Sequence, residues 1–150
     1  MKSSAPTAGS LYVPAARLAV LARTADPRAM LRRLLAVDAG VTGVNGLAYL
    51  LAAGPLGRFL GVGSGLLVAL GVFLAVYAAG VALLASRERP PTLPVRAVIE
   101  ANLGWAVLSL VALVLWLTPS TAGAVWTLLQ ALTVGGFAAV QYVALRAAGR

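Results

Sequence analysis

Four long apolar stretches limit what this chain can fold into. They run over about 34–53, 66–85, 95–117 and 122–145. A helix rises 1.5 Å per residue, so about 20 apolar residues cross a hydrocarbon layer roughly 30 Å thick. Inside lipid every backbone amide must find its partner within the protein, and a single stretch does this only as a helix. The chain is 150 residues long, 61% hydrophobic and 11% charged. A soluble domain of that size has too little interior to hide so much apolar surface. The expected fold class is therefore all-α: an integral membrane four-helix bundle over residues 30–150, preceded by a tail over 1–29.

That tail is rich in Ala, Pro and Ser and carries Lys2, Arg17, Arg23 and Arg28. Residues 18–22 are too short for the apolar region of a signal peptide, and Arg23 interrupts them. Leu11, Ala15, Leu18 and Ala22 share one helical face, so the tail reads either as disordered chain or as a short helix lying on the inner leaflet.

The charge has the sign a nucleic-acid binder would need, a net +8, but not the distribution. Of the 12 Lys and Arg, all but Arg58 lie before residue 34, between 87 and 96, or after 145. Basic residues in alternate flanks follow the positive-inside rule for an even number of spans, which places both termini and the middle loop in the cytoplasm of a bacterial inner membrane. Nucleic acid is not expected as a partner; the lipid bilayer is. The chain has no His and no Cys, which removes thiolate chemistry, disulfides, His-ligated haem and the usual zinc sites. Neither a metal nor a cofactor is expected.

Polar residues inside the spans carry the functional signal. Asp38, Thr42, Asn45 and Tyr49 follow one another at spacings of four, three and four, which puts them on one face of the first span. A charged group at a bilayer centre costs about 2.5–3.5 kcal/mol on insertion scales and normally faces a bundle interior or a wet cavity. The second span has no such stripe, only Phe73 and Tyr77 as large aromatics, and is expected to face lipid over much of its surface. In the third, Asn102, Trp105, Ser109 and Trp116 share a face, and Glu100 lies about 160° from Asn102. The fourth carries Trp126, Gln130, Thr133, Phe137 and Gln141, with Gly135 and Gly136 offering a close helix contact. Between spans one and two, Gly54-Pro55-Leu56-Gly57 breaks the helix and a glycine-rich connection leads to Gly65. Between spans three and four, Ser120 or Thr121 is the expected N-cap.

Asp38 and Glu100 each lie about five residues inside their spans, at similar depth. Two carboxylates at one level of a small bundle can share a proton, and a neutral carboxylic acid in an apolar pocket is a proton donor. Such a donor could isomerise, cyclise or open the epoxide of a lipophilic substrate. Asp38 and Glu100 are thus the catalytic candidates. Asn45, Tyr49, Asn102, Trp105, Trp126 and Gln130 are the candidates for the pocket lining. Ordinary pairing competes with this chemistry: Arg96 precedes Glu100 by four residues, and Arg33 or Arg89 could neutralise Asp38 across a helix contact. For the amides the competing role is interhelical hydrogen bonding, and for Trp116 and Trp126 it is anchoring at the membrane interface.

Over residues 31–146, a chain built of Ala, Leu, Val and Gly that uses Arg almost to the exclusion of Lys resembles small four-span inner-membrane proteins of high-GC bacteria. An acid in span one, Asp38, and another in span three, Glu100, form a pattern similar to that of the sterol-isomerase and sigma-2-type four-helix membrane proteins. That resemblance implies an intramembrane pocket for a lipophilic amine or sterol; the histidine of the isomerases is absent here. The functional expectation is a polar intramembrane pocket for a lipophilic small molecule, enzymatic or not. The alternatives are a small proton-coupled transporter acting as a homodimer and a non-catalytic membrane partner subunit.

Overall fold

The computed structural model describes residues 26–149. The described residues form five helices: α1 Pro27–Leu51, α2 Ala53–Leu60, α3 Ser64–Ser86, α4 Thr92–Leu115 and α5 Thr121–Ala148. Most of the tail, with its leaflet helix over 11–22, lies outside the described residues.

α1 begins seven residues before the apolar stretch, because the local chemistry favours a start there. The Asp26 side chain accepts a hydrogen bond from the Arg28 amide (2.9 Å), and Pro27 occupies the first helical position, where its missing N–H costs nothing. The added turns carry Arg32, whose Nε donates to the Ala85 carbonyl (3.2 Å). A cation from α1 thus satisfies one of the orphan carbonyls at the end of α3.

The connection after α1 is a helix over much of its length, where the glycines and Pro55 predict a flexible turn. Ala52 leaves helical geometry (φ −127°, ψ 27°), and α2 follows at once with Pro55 in its first turn, a position proline tolerates. α2 ends at Gly61, whose φ of 71° suits a residue without a side chain. It then docks on the turn between α4 and α5. The Ser120 amide donates to the Leu60 carbonyl (3.0 Å), and its hydroxyl donates to the Phe59 carbonyl (2.7 Å). The same hydroxyl oxygen accepts from the Gly123 amide (3.1 Å), so Ser120 is the N-cap of α5. A side chain on Gly123 would run into the Leu60 carbonyl. Gly123→Ala is therefore expected to prise α2 from this turn and lower the unfolding free energy in detergent by about 1–3 kcal/mol; a thermal melt indistinguishable from wild type would show that the docking contributes nothing.

The four long helices make a ring in the order α1, α3, α4, α5, with α1 opposite α4 and α3 opposite α5. α1 and α3 pack most closely, and α4 and α5 form the second tight pair. The closest approach is at Gly46 and Gly71: a Cβ on Gly46 would lie 3.0 Å from the Ala75 amide nitrogen and 3.1 Å from the Gly71 carbonyl. The Gly135–Gly136 pair expected to serve this purpose does not. A Cβ on Gly135 would meet only Ala106 at 3.9 Å, and one on Gly136 would meet nothing within 4 Å, because Gly136 faces outward. α3 and α4 are the least tightly packed neighbours in the ring.

At the end that holds the N-terminus of α1 and the C-terminus of α5, the interior is a cluster including Leu31, Leu35, Val81, Val95 and Ile99. Toward the other end Tyr49, Leu67 and Leu74 form a smaller one. The outer surface is as apolar as the core. Leu51 is 86% exposed, Val114 80% and Leu132 73%, an arrangement water would not tolerate over a whole bundle. With four apolar helices of 23 to 28 residues, each long enough to cross a bilayer, the structure is that of a multi-pass membrane protein.

Candidate functional site

The polar face of α1 points into the ring, and its members divide into two layers with a cavity between them. Asp38 forms the inner layer. It is 1% exposed, and its hydrogen bonds come from amides and a hydroxyl rather than from arginine. Oδ2 accepts from Asn102 Nδ2 and from Gln141 Nε2, each at 2.7 Å, and Oδ1 accepts from Thr42 Oγ1 at 3.3 Å. The Tyr77 hydroxyl lies 2.9 Å from Asn102 Oδ1 and 3.3 Å from the Val98 carbonyl, so it donates to the nearer and orients the amide that holds the acid. One carboxylate thereby ties together α1, α3, α4 and α5. Gln141 Oε1, fully buried, has no partner in this network.

Glu100 takes no part in that layer. It is exposed on α4, turned away from Asn102 as the helical angle predicts, while Asn102 is 3% exposed and faces Asp38. The shared proton expected of two acids at equal depth does not arise, because depth along a helix says nothing about direction around it.

Tyr49 forms the outer layer. Its hydroxyl oxygen accepts from Trp126 Nε1 and from Gln130 Nε2, both at 2.8 Å. Trp126 is thus more than an interfacial anchor: it binds a buried phenol of α1 from α5. Trp116 is largely exposed and borders the space beside this layer.

Between the layers lies a cavity of about 210 Å³ whose walls come from all four long helices. Thr42 and Asn102 border it beside Asp38, Asn45 projects into it from α1, and Gln130 closes it toward Tyr49. Its aromatic wall is a stack: the Phe73 and Trp105 rings lie 5.5 Å apart at 15°, and Phe73 and Tyr77 lie 6.2 Å apart at 17°. Beyond Gln130 is a second chamber of about 300 Å³, bordered by Tyr49, Leu67, Leu70, Leu108 and Trp116. Trp105, Trp126 and Gln130 belong to the walls of both. Comparison of the chain with known protein families, with curated proteins and with solved structures finds no match to any of them. The chemistry of the site therefore rests on its own geometry.

Asp38 borders neither chamber. It is linked to the inner one through Thr42 and Asn102, both hydrogen-bonded to it. What the chambers themselves present is neutral: amides, the phenols of Tyr49 and Tyr77, indoles, and serine and threonine hydroxyls set in aromatic and aliphatic walls. Such a lining suits a neutral lipophilic molecule held by a few convergent polar contacts.

The sequence-derived lining residues Asn45, Asn102, Trp105, Trp126 and Gln130 all border the inner chamber, and Tyr49 borders the outer. Four participants are missing from that set, of which Thr42 already lies on the α1 stripe with Asp38. Gln141 follows Gln130 by 11 residues, about three helical turns, so its position on the same face is legible. Phe73 and Tyr77 sit in a span without a polar stripe, and only packing directs them inward.

Proposed function

We propose that this chain is a multi-pass protein of a bacterial inner membrane, with both termini cytoplasmic, that binds a lipophilic small molecule inside its helix bundle. The carrying observation is the pair of chambers sharing Trp105, Trp126 and Gln130. Protein interiors are close-packed, and a bundle built only for stability would fill spaces of this size with side chains. Here large aromatics border the space without filling it, and polar groups from three helices converge on it, the usual composition of a ligand site. Support for the orientation comes from charge: Arg28, Arg32, Arg33, Arg87, Arg89, Arg96 and Arg146 belong to the end of the bundle that holds the N-terminus of α1, the C-terminus of α5 and the α3–α4 turn.

Acid catalysis at Asp38, to isomerise, cyclise or open an epoxide, would have to run through Thr42 Oγ1, which stands between the carboxylate and the cavity. The geometry favours binding as the primary role. Extraction of protein purified in mild detergent, followed by mass spectrometry, is expected to yield one non-phospholipid lipophile in near-stoichiometric amount. Asn45→Trp, which fills the inner chamber from α1, is expected to lower its retention at least about tenfold while shifting stability by about 1 kcal/mol or less. Bulk phospholipid alone in the wild-type extract would refute the proposal.

A further inference from the structure

The outer layer leaves hydrogen-bond donors unpaired. Trp126 brings one N–H, Gln130 two and Tyr49 one O–H; the acceptors within the layer are the Tyr49 oxygen and Gln130 Oε1, and an amide oxygen cannot receive its own N–H. The Tyr49 oxygen already receives the indole N–H and one amide N–H, both at 2.8 Å. The hydroxyl hydrogen of Tyr49, a residue only 5% exposed, then has no acceptor among the described residues. Turning the Gln130 amide end for end lets Tyr49 donate to Oε1, but it leaves both amide hydrogens unpaired. In either orientation a donor is left over where the two chambers meet, the hydroxyl of the buried Tyr49 in the first and the amide of the half-buried Gln130 in the second.

An unpaired buried donor costs about 1–3 kcal/mol, and acyl chains in the chamber offer it nothing. A phenol oxygen that accepts two N–H bonds also makes its own O–H a stronger donor, since hydrogen bonds in a chain polarise one another. The complement to this cluster is an acceptor on an apolar body. Resting on the lipophile-binding proposal above, we infer that the ligand is a neutral lipophile bearing a carbonyl oxygen, of the ketone or quinone class. The oxygen sits against Tyr49, Gln130 and Trp126, and the carbon skeleton runs past Trp105, which borders both chambers, with Leu70 and Leu108 on one side and Phe73 on the other. A lipophilic ammonium would add donors to a cluster already in surplus, and the one buried acid, Asp38, borders neither chamber.

The test uses the full chain in detergent with benzophenone, a ketone that inserts into nearby C–H bonds on irradiation. Benzophenone is expected to label the outer-chamber wall, and fluorenone is expected to suppress that labelling at about tenfold lower concentration than fluorene, the same skeleton without the carbonyl. The carbonyl stretch of bound fluorenone is expected at lower wavenumber than in protein-free micelles. Replacing the cluster by Tyr49→Phe, Trp126→Phe and Gln130→Met together, an apolar set of similar shape, is expected to abolish both the preference and the shift. The wild-type comparison and the infrared band decide the matter even if that triple variant fails to fold. Equal competition by fluorene with an unshifted carbonyl would overturn the donor assignment and leave the pocket standing; absence of any labelling on the chamber walls would overturn both.

Discussion

Asp38→Leu is expected to lower the unfolding free energy by about 2–4 kcal/mol, measured by denaturant titration in mixed detergent micelles. The leucine branches at the same carbon and is no smaller, so the loss is not a cavity. It is the stranding of two buried amide donors, Asn102 Nδ2 and Gln141 Nε2, which both point at the vanished Oδ2. Each unsatisfied donor costs about 1–3 kcal/mol. Interhelical hydrogen bonds in membranes average only about 0.6 kcal/mol because an unfolded chain finds other partners, and this sets the lower end of the range. Two companions separate that cause from simple misfit. Asp38→Leu, Asn102→Leu and Gln141→Leu combined should recover most of the loss, because removing all the polar partners together leaves nothing stranded. Asp38→Asn should stay within about 1 kcal/mol of wild type: its oxygen can keep the bonds from Asn102 Nδ2 and Gln141 Nε2, while its amide takes the place of Oδ1 and donates to Thr42 Oγ1, a hydroxyl that can turn to accept. A cost below about 0.5 kcal/mol for Asp38→Leu would mean that the layer contributes little to holding the helices together.

Gly46→Leu is expected to disrupt the α1–α3 pair, at about 3 kcal/mol or more, because overpacking against backbone cannot be relieved by a change of rotamer. The atoms in the way are the Ala75 amide nitrogen and the Gly71 carbonyl, at 3.0 and 3.1 Å from the position of the first added carbon. Loss of monodisperse protein in detergent, or a melting transition lowered by many degrees, would report it. Gly136→Leu is the matched control. Its Cβ has open space around it, and the change should move the transition by no more than about 0.5 kcal/mol. If both variants behave alike, the Gly46–Gly71 contact does not determine the packing.

Much of this is legible in the amino-acid sequence. Apolar length required helices, and a polar residue recurring every three or four positions told which way α1 faces, so Asp38, Thr42 and Tyr49 are all buried where the spacing puts them. The same arithmetic turned Glu100 away from Asn102. What remained hidden has physical causes. Tyr77 and Phe73 enter the site because α3 packs against α1 through glycine, a contact that periodicity cannot choose from among many glycines. α2 escaped notice because glycine and proline mark a break equally well whether the chain then loosens or starts a new helix. The end-to-end partnership of Tyr49 with Trp126 and Gln130 needed the register of α1 against α5, and nothing in either span alone records it.

The loose neighbours in the ring, α3 and α4, bear on what can be selective here. Were the proposed ligand to enter between them from the bilayer, it would displace acyl chains rather than water. Lipid tails are as apolar as leucine, so the usual gain from leaving water has already been collected on partitioning into the membrane. Greasiness then fills the membrane with candidates without choosing among them. For the proposed ligand, discrimination then falls to its fit against the Phe73–Trp105 stack and to the hydroxyl hydrogen of Tyr49, whose oxygen is taken up by Trp126 and Gln130. For such a site, affinity expressed as mole fraction in the membrane, not as concentration in buffer, is the quantity that separates one ligand from another.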